Sequence, residues 1–135
     1  MAKHRVLFAC VHNAGRSQMA AALFNAVTDP AKAEALSAGT NPGTSVHPEV
    51  VETMREIGID LSEATPRLLT DDLARTVHIL VTMGCGEQCP HVRGIERDDW
   101  PLADPKGRRV EEVRTIREDI RTRVAALVDS RGWNR

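Results

Sequence analysis

The chain contains no tyrosine, and only two phenylalanines and two tryptophans among its 135 residues. Any cleft it builds is poor in aromatic walls, which argues against a site that holds a substrate ring by stacking. Apolar runs near 18 residues are missing too, and Met1-Ala2-Lys3-His4 passes straight into Val6-Leu7-Phe8-Ala9 without a signal-peptide core. No membrane span and no secretory leader are expected, so the protein is expected in the cytoplasm. Neither sign of charge dominates. Eighteen Lys and Arg stand against 19 Asp and Glu, a formal net charge of −1, which gives no pull toward nucleic acid or a membrane surface. Cysteine is scarce and odd in number at three, so a structural disulfide framework is not expected and a chemical role is. Repeats, linkers and low-complexity tracts are absent, and the length suits one domain over residues 1–135 with a real core.

What the sequence does have is Cys10-Val11-His12-Asn13-Ala14-Gly15-Arg16-Ser17, set between Val6-Leu7-Phe8-Ala9 and the helix-like Gln18-Met19-Ala20-Ala21-Ala22-Leu23-Phe24. An apolar strand that turns sharply into a helix puts the turn's N–H groups at a helix N-terminus, where donors are unpaired and the dipole is positive. That is an anion site. The same field favours a thiolate at Cys10, expected at the mouth of the site, and the planar fork of Arg16 can hold two oxygens of a tetrahedral oxyanion. Asn13 tolerates a left-handed backbone, and Gly15 removes a side chain where the backbone must approach a ligand. The Ser17 hydroxyl suits either a helix cap or a bond to the Cys10 sulfur. A cysteine ending a buried strand is by itself an ordinary small core residue. Strand, helix, Asn, Gly and Ser at these places together lift Cys10 above that reading.

Taken in order, His4–Ala9 reads as a strand buried on both faces of a parallel sheet. Ser17 to about Val27 forms a helix with Met19, Leu23, Phe24 and Val27 on its apolar side. Ala33–Ser37 is a second strand, followed by the turn cluster Ala38-Gly39-Thr40-Asn41-Pro42-Gly43. A helix opens at His47-Pro48, buries Val50, Val51, Met54 and Ile57, and is capped by Gly58. Thr70-Asp71-Asp72 caps a short helix to about Ala74. Val77–Thr82 is a third strand, Met83–Arg93 is irregular and mobile, and a short strand is expected near Ile95. Asp98–Gly107 reads as a long turn-rich loop in which Asp98 and Asp99 are solvated turn residues. Val110, Val113, Ile116, Ile120, Val124 and Leu127 mark a closing helix to about Ser130, with a frayed tail from Arg131 to Arg135. The fold class is α/β, a central parallel four-stranded sheet with helices on both faces. Ligands bind beyond the carboxyl ends of such strands, where Cys10, Cys85 and Asp104 would gather.

Cys-x5-Arg-Ser after the first strand, with Asn at the fourth loop position, resembles the low-molecular-weight protein tyrosine phosphatase fold. It resembles equally that fold's offshoot, the arsenate reductases coupled to thioredoxin or to a low-molecular-weight thiol. Ser37-Ala38-Gly39-Thr40, Val81-Thr82-Met83 and Asp104-Pro105 extend the likeness over nearly the whole chain. The commonest family loop carries Gly where His12 stands and Cys where Gly15 stands, and the wording here is similar to a subset of the reductases. The resemblance implies that Val11 to Ser17 bind the oxyanion, that Cys10 attacks it, and that Asp104 is the general acid. Pro105 stiffens the loop around that acid.

Cys85 and Cys89 are what a phosphatase does not need. Reducing arsenate takes two electrons, which a thiol-to-disulfide conversion supplies. Three-cysteine members of the family release arsenite by attack of a second cysteine and carry the disulfide to the surface with a third; Cys85 and Cys89 match these positions. Two alternatives stand beside the relay. An external thiol of the mycothiol or glutaredoxin type resolves the adduct, or Cys85-x3-Cys89-x-His91 binds zinc, although a structural site needs four ligands. Some relatives hold potassium with acidic residues near the loop; Gln18-Met19-Ala20-Ala21 and Pro66-Arg67 offer none, so no metal and no cofactor are expected. The expected partners are arsenate, with phosphate or sulfate competing, and thioredoxin or a mycoredoxin or low-molecular-weight thiol, without nucleic acid or membrane. His47 and His78 are expected to be structural. The rival functions are a phosphotyrosine phosphatase, for which only Trp100 is placed to line a cleft, and an oxyanion- or metal-binding module without turnover.

Overall fold

The computed structural model describes residues 3–84 and 94–135. Cys85, Cys89 and His91, and with them residues 85–93 of the segment expected to be irregular and mobile, therefore lie outside the described residues. Four strands form one all-parallel sheet: β1 (His4–Cys10), β2 (Ala33–Gly39), β3 (Ile79–Thr82) and β4 (Glu96–Asp99), in the order β2-β1-β3-β4. The central place of β1 follows from its sequence, because only an unbroken apolar run can cover both faces of a sheet at once. Val6, Phe8 and Cys10 enter a large core on one face with α1 (Arg16–Val27), α2 (Pro48–Arg55) and α4 (Val110–Arg131). Leu7 and Ala9 enter a smaller one on the other, closed by Leu69, Ala74, Val77 and Leu80 beside α3 (Asp71–Arg75). Helices thus cover both faces.

Several local expectations hold for local reasons. The Thr70 hydroxyl accepts from the Leu73 N–H at 3.0 Å, capping α3. Pro48 opens α2, and Gly58 closes its exit turn at φ +81°. His78 supports β1 with its side chain, Nδ1 accepting from the Arg5 N–H at 3.0 Å, and with its backbone N–H, which donates to the Arg5 carbonyl at 2.9 Å. The strand β3 begins at Ile79, two residues later than Val77.

Other expectations are corrected. Val27 is 43% exposed, because α1 turns its alanines Ala20 and Ala21 inward and lets its last turn run past the core. Asp98 and Asp99 are not turn residues: they finish β4, whose four residues Glu96-Arg97-Asp98-Asp99 are all exposed at the sheet edge. An edge strand needs no apolar alternation, and charges there discourage pairing with another chain. The tail is docked rather than frayed. Gly132 reverses the chain at φ +70°, and the Trp133 ring packs 5.3 Å from His4 and 5.9 Å from Phe24. The Trp133 carbonyl then accepts from the Asp29 N–H at 2.8 Å.

Helices α2 and α4 are clamped by Glu56. Its carboxylate accepts from Arg114 Nη2 at 2.6 Å and Arg117 Nη1 at 2.8 Å, while Arg117 Nη1 also donates to the Thr53 carbonyl. These two guanidinium partners, Arg114 first, hold the Glu56 carboxyl down from the ordinary 4.5 to about 2. A depressed acid stabilises the fold above its unfolded value and loses that contribution as pH falls through its folded value. Thermal melts of Glu56→Gln are therefore expected to lie below the wild type at pH 7 and to converge with it between about pH 4.5 and pH 2. A gap of constant size across that window would count against the clamp.

Candidate active site

The carboxyl edge of the sheet brings together the end of β1, the end of β2, the turn after β3 and the loop after β4. Cys10 is only 2% exposed. It lies at the floor of the loop rather than at its mouth, since its side chain shares the sheet face of Val6 and Phe8.

Above it, the carbonyls of the loop are turned outward. Those of Cys10, Val11, His12 and Ala14 accept from the N–H groups of Thr40, Asn41, Gly43 and His47 at 3.2, 2.7, 2.9 and 3.0 Å. The Asn13 carbonyl accepts from Gln18 Nε2 at 3.1 Å. The N–H groups of Val11 to Gly15 find no acceptor among the described residues. A turn with its carbonyls engaged outside and its N–H groups free, at the start of α1, is a concave anion cradle. His12 is held at the rim by its Nδ1, which lies 3.0 Å from the Asn41 carbonyl.

Asn13 sets the direction of the polar network inside. It is fully buried and the one non-glycine residue with positive φ among the described residues, at 51°. Its Oδ1 accepts from the Arg67 N–H at 2.9 Å, which fixes the amide's orientation and leaves Nδ2 to donate to Ser17 Oγ at 2.7 Å. Ser17 Oγ therefore accepts there, and its own proton is free for the Cys10 sulfur 2.9 Å away. Of the two uses open to Ser17, the bond to sulfur is the one formed; α1 has no side-chain cap.

Arg16 is 7% exposed. Its Nη1 donates to the Leu102 carbonyl at 3.1 Å, and Nη2 stands 3.9 Å from Asp104 Oδ2. Asp104 is half-buried and steered by its neighbours: Oδ1 accepts from the Lys106 N–H at 3.0 Å, and its carbonyl accepts from Arg108 Nε at 2.7 Å. The glycines make room for these approaches. A Cβ on Gly84 would stand 2.4 Å from Arg16 Nη1. One on Gly15 would stand 2.5 Å from Pro105 Cγ, so Gly15 makes space for the Asp104-Pro105 loop.

Of the expected site residues, Cys10, Val11, His12, Asn13, Ala14, Gly15, Arg16, Ser17 and Asp104 meet at this edge. Trp100 borders a groove with Ile79, Val81, Glu96 and Arg123, which no residue of the Cys10 loop lines. It is 6% exposed, its ring is 5.4 Å from Phe8, and its Nε1 donates to Asp98 Oδ2. The sequence gives no site role to the Leu102 carbonyl, the Arg67 N–H, Gly39 or Gln18, which the structure places around the loop. Gly39 had a signal in the Ser37–Thr40 motif, and Gln18 had one in its place three residues after the Gly15 cap. Among the described residues, no three His, Cys, Asp or Glu side chains are grouped to hold a metal ion.

Among known proteins, a Halobacterium salinarum protein provisionally named an arsenate reductase is 44% identical over 126 residues, covering 90% of this chain and 89% of that protein. The glutaredoxin arsenate reductase of Synechocystis is 32% identical, over 92% of this chain and 95% of that one. The solved thioredoxin-dependent arsenate reductase of Corynebacterium glutamicum superposes with a TM-score of 0.81 at 40% identity. That match covers 95% of this chain, which spans only 61% of the length of that one. Residues 5–132 match the model described as low molecular weight phosphotyrosine protein phosphatase, and the chain belongs to that family.

Proposed function

We propose that the protein is a cytoplasmic arsenate reductase, its activity carried by one domain over residues 1–135. The observation that carries this reading is the Cys10 sulfur at the floor of an N–H-lined loop, hydrogen-bonded to Ser17 and bounded by the buried Arg16. The loop N–H groups and Arg16 bind arsenate. The Cys10 thiolate attacks arsenic, and an arsenate oxygen leaves as water with a proton from Asp104. Cys85 then attacks the Cys10 sulfur. The electron pair of the sulfur–arsenic bond stays on arsenic, arsenite departs, and a Cys10–Cys85 disulfide forms. Cys89 attacks Cys85, freeing Cys10 and leaving a Cys85–Cys89 disulfide for thioredoxin to reduce. The names of the Halobacterium and Corynebacterium relatives support the substrate. Burial of Trp100 weighs against an aryl phosphate, since it removes the one aromatic wall considered for a ring. For the location, no helix among the described residues is long and apolar enough to cross a membrane.

A second reading, resolution of the adduct by an external thiol, draws on the glutaredoxin named for the Synechocystis relative. One experiment separates the two. Fully reduced protein given arsenate without reductant is expected to release about one arsenite and lose two thiols per chain. Peptide mapping should then find Cys85 joined to Cys89, and in Cys89→Ser a Cys10–Cys85 bond should accumulate. Arsenite that appears only after a small thiol is added, with Cys89→Ser turning over normally, would replace the relay by the external thiol. No arsenite under either condition would remove the reductase reading.

A further inference from the structure

Gln18 is the third residue of α1 after the Gly15 cap. A Gln at that place ordinarily turns its oxygen back to the cap N–H. Here it does the opposite. Its Nε2 donates to the Asn13 carbonyl at 3.1 Å, to Asn13 Oδ1 at 3.2 Å and to the Thr65 carbonyl at 3.5 Å. All three partners are oxygens, and Asn13 Oδ1 is fixed as one because the Arg67 N–H donates to it. The opposite rotamer would set a fourth oxygen against them, so the amide's direction is determined by its surroundings. The side chain is 7% exposed, so solvent does little to replace these bonds.

We infer that Gln18 is a positioning residue for the oxyanion loop, a buried clasp that holds Asn13 left-handed and thereby aims the Ser17 proton at Cys10. The chain of contacts is continuous. Gln18 holds both the backbone and the side-chain oxygen of Asn13. Asn13 Nδ2 occupies the acceptor of Ser17, and the Ser17 hydroxyl meets the sulfur. Gln18 also ties this loop to the 65–67 segment, which no other side-chain donor of α1 reaches among the described residues. Asn13 at φ 51° bears a backbone cost that a residue in the helical or extended region does not, and bonds to both its oxygens offset that cost. The inference rests on the reading of the Cys10 loop as an oxyanion site.

Two near-isosteric variants test it. Gln18→Glu keeps shape and removes the donor; Gln18→Met keeps bulk and removes polarity. Each should bind phosphate about tenfold more weakly by calorimetry, the scale of one or two lost buried hydrogen bonds. Each should also slow alkylation of Cys10 by iodoacetamide about tenfold, because the Ser17 hydroxyl is no longer aimed at the sulfur. Helical circular dichroism serves as the control for folding. A Gln18→Met variant that matches the wild type in both readouts would show that the residue only fills space. Should neither variant fold, NMR of the wild type decides. The clasp requires the Gln18 side-chain NH2 protons to exchange slowly and to shift on phosphate titration, and fast exchange would overturn it. Slow exchange in a wild type that binds no phosphate would leave the clasp standing and remove the oxyanion reading instead.

Discussion

A Cys10→Ser variant is expected to lose arsenite formation by at least about a thousandfold, the scale seen when a covalent nucleophile is removed. Phosphate affinity should stay within about threefold, because the binding groups are elsewhere. Serine replaces sulfur by a smaller atom of the same valence, and its oxygen can still meet the Ser17 hydroxyl that lies 2.9 Å from the sulfur. The loop N–H groups and the Arg16 fork are untouched. What disappears is chemical. A serine hydroxyl is not ionised near neutral pH, and it has no disulfide state through which two electrons can pass to arsenic. An arsenite assay with a thioredoxin system, run beside phosphate calorimetry on the same sample, checks both halves. Retained turnover would move the nucleophile to another cysteine. Loss of phosphate binding together with turnover would show instead that sulfur supports the shape of the loop.

The parts of this structure legible in the sequence are those whose causes lie within a few residues. Val6 to Ala9 need two covered faces, so they place β1 in the middle of a parallel sheet. Asn13 in a strand-to-helix turn announces a left-handed residue, and φ 51° is what the chain adopts. Failures came where the cause lies far along the chain. Trp133 is docked by His4 and Phe24, and nothing near residue 133 announces them. The β4 strand owes its existence to hydrogen bonds from β3 and carries no apolar pattern of its own. Gly15 also accommodates Pro105, ninety residues on, a neighbour that nothing in the loop's own sequence announces. Gln18 was noticed only for not being acidic, and its partners at Thr65 and Asn13 become visible once the fold brings them together.

The same distinction gives Gly39→Ala a large expected effect from one added methyl group. Gly39 ends β2 opposite Cys10, and no positive φ explains the glycine there. Space explains it. A Cβ would stand 2.6 Å from the Val11 carbonyl oxygen, 2.8 Å from Asn13 N and 3.0 Å from Asn13 Cβ. Two of these three are main-chain atoms of the anion loop, so no flexible side-chain end can swing aside. Gly39 cannot retreat either, because its N–H donates to the Arg67 carbonyl at 2.9 Å and its carbonyl accepts from the Leu69 N–H at 2.8 Å. The strain must pass into the loop, at the residue whose left-handed backbone orients the Ser17 bond. Gly39→Ala is expected to lose about 1–3 kcal/mol of stability, the usual cost of overpacking a tight site. Phosphate affinity should fall at least about tenfold as the cradle's N–H groups lose alignment. Gly43→Ala is the matched control: the same methyl group would meet Ala14 Cβ at 3.8 Å and the His12 carbonyl oxygen at 3.9 Å, ordinary contacts. Urea denaturation and phosphate calorimetry on both variants check the contrast. If Gly39→Ala behaves like Gly43→Ala, the loop is softer than its hydrogen bonds imply, and the close approach at Gly39 does not define the oxyanion site.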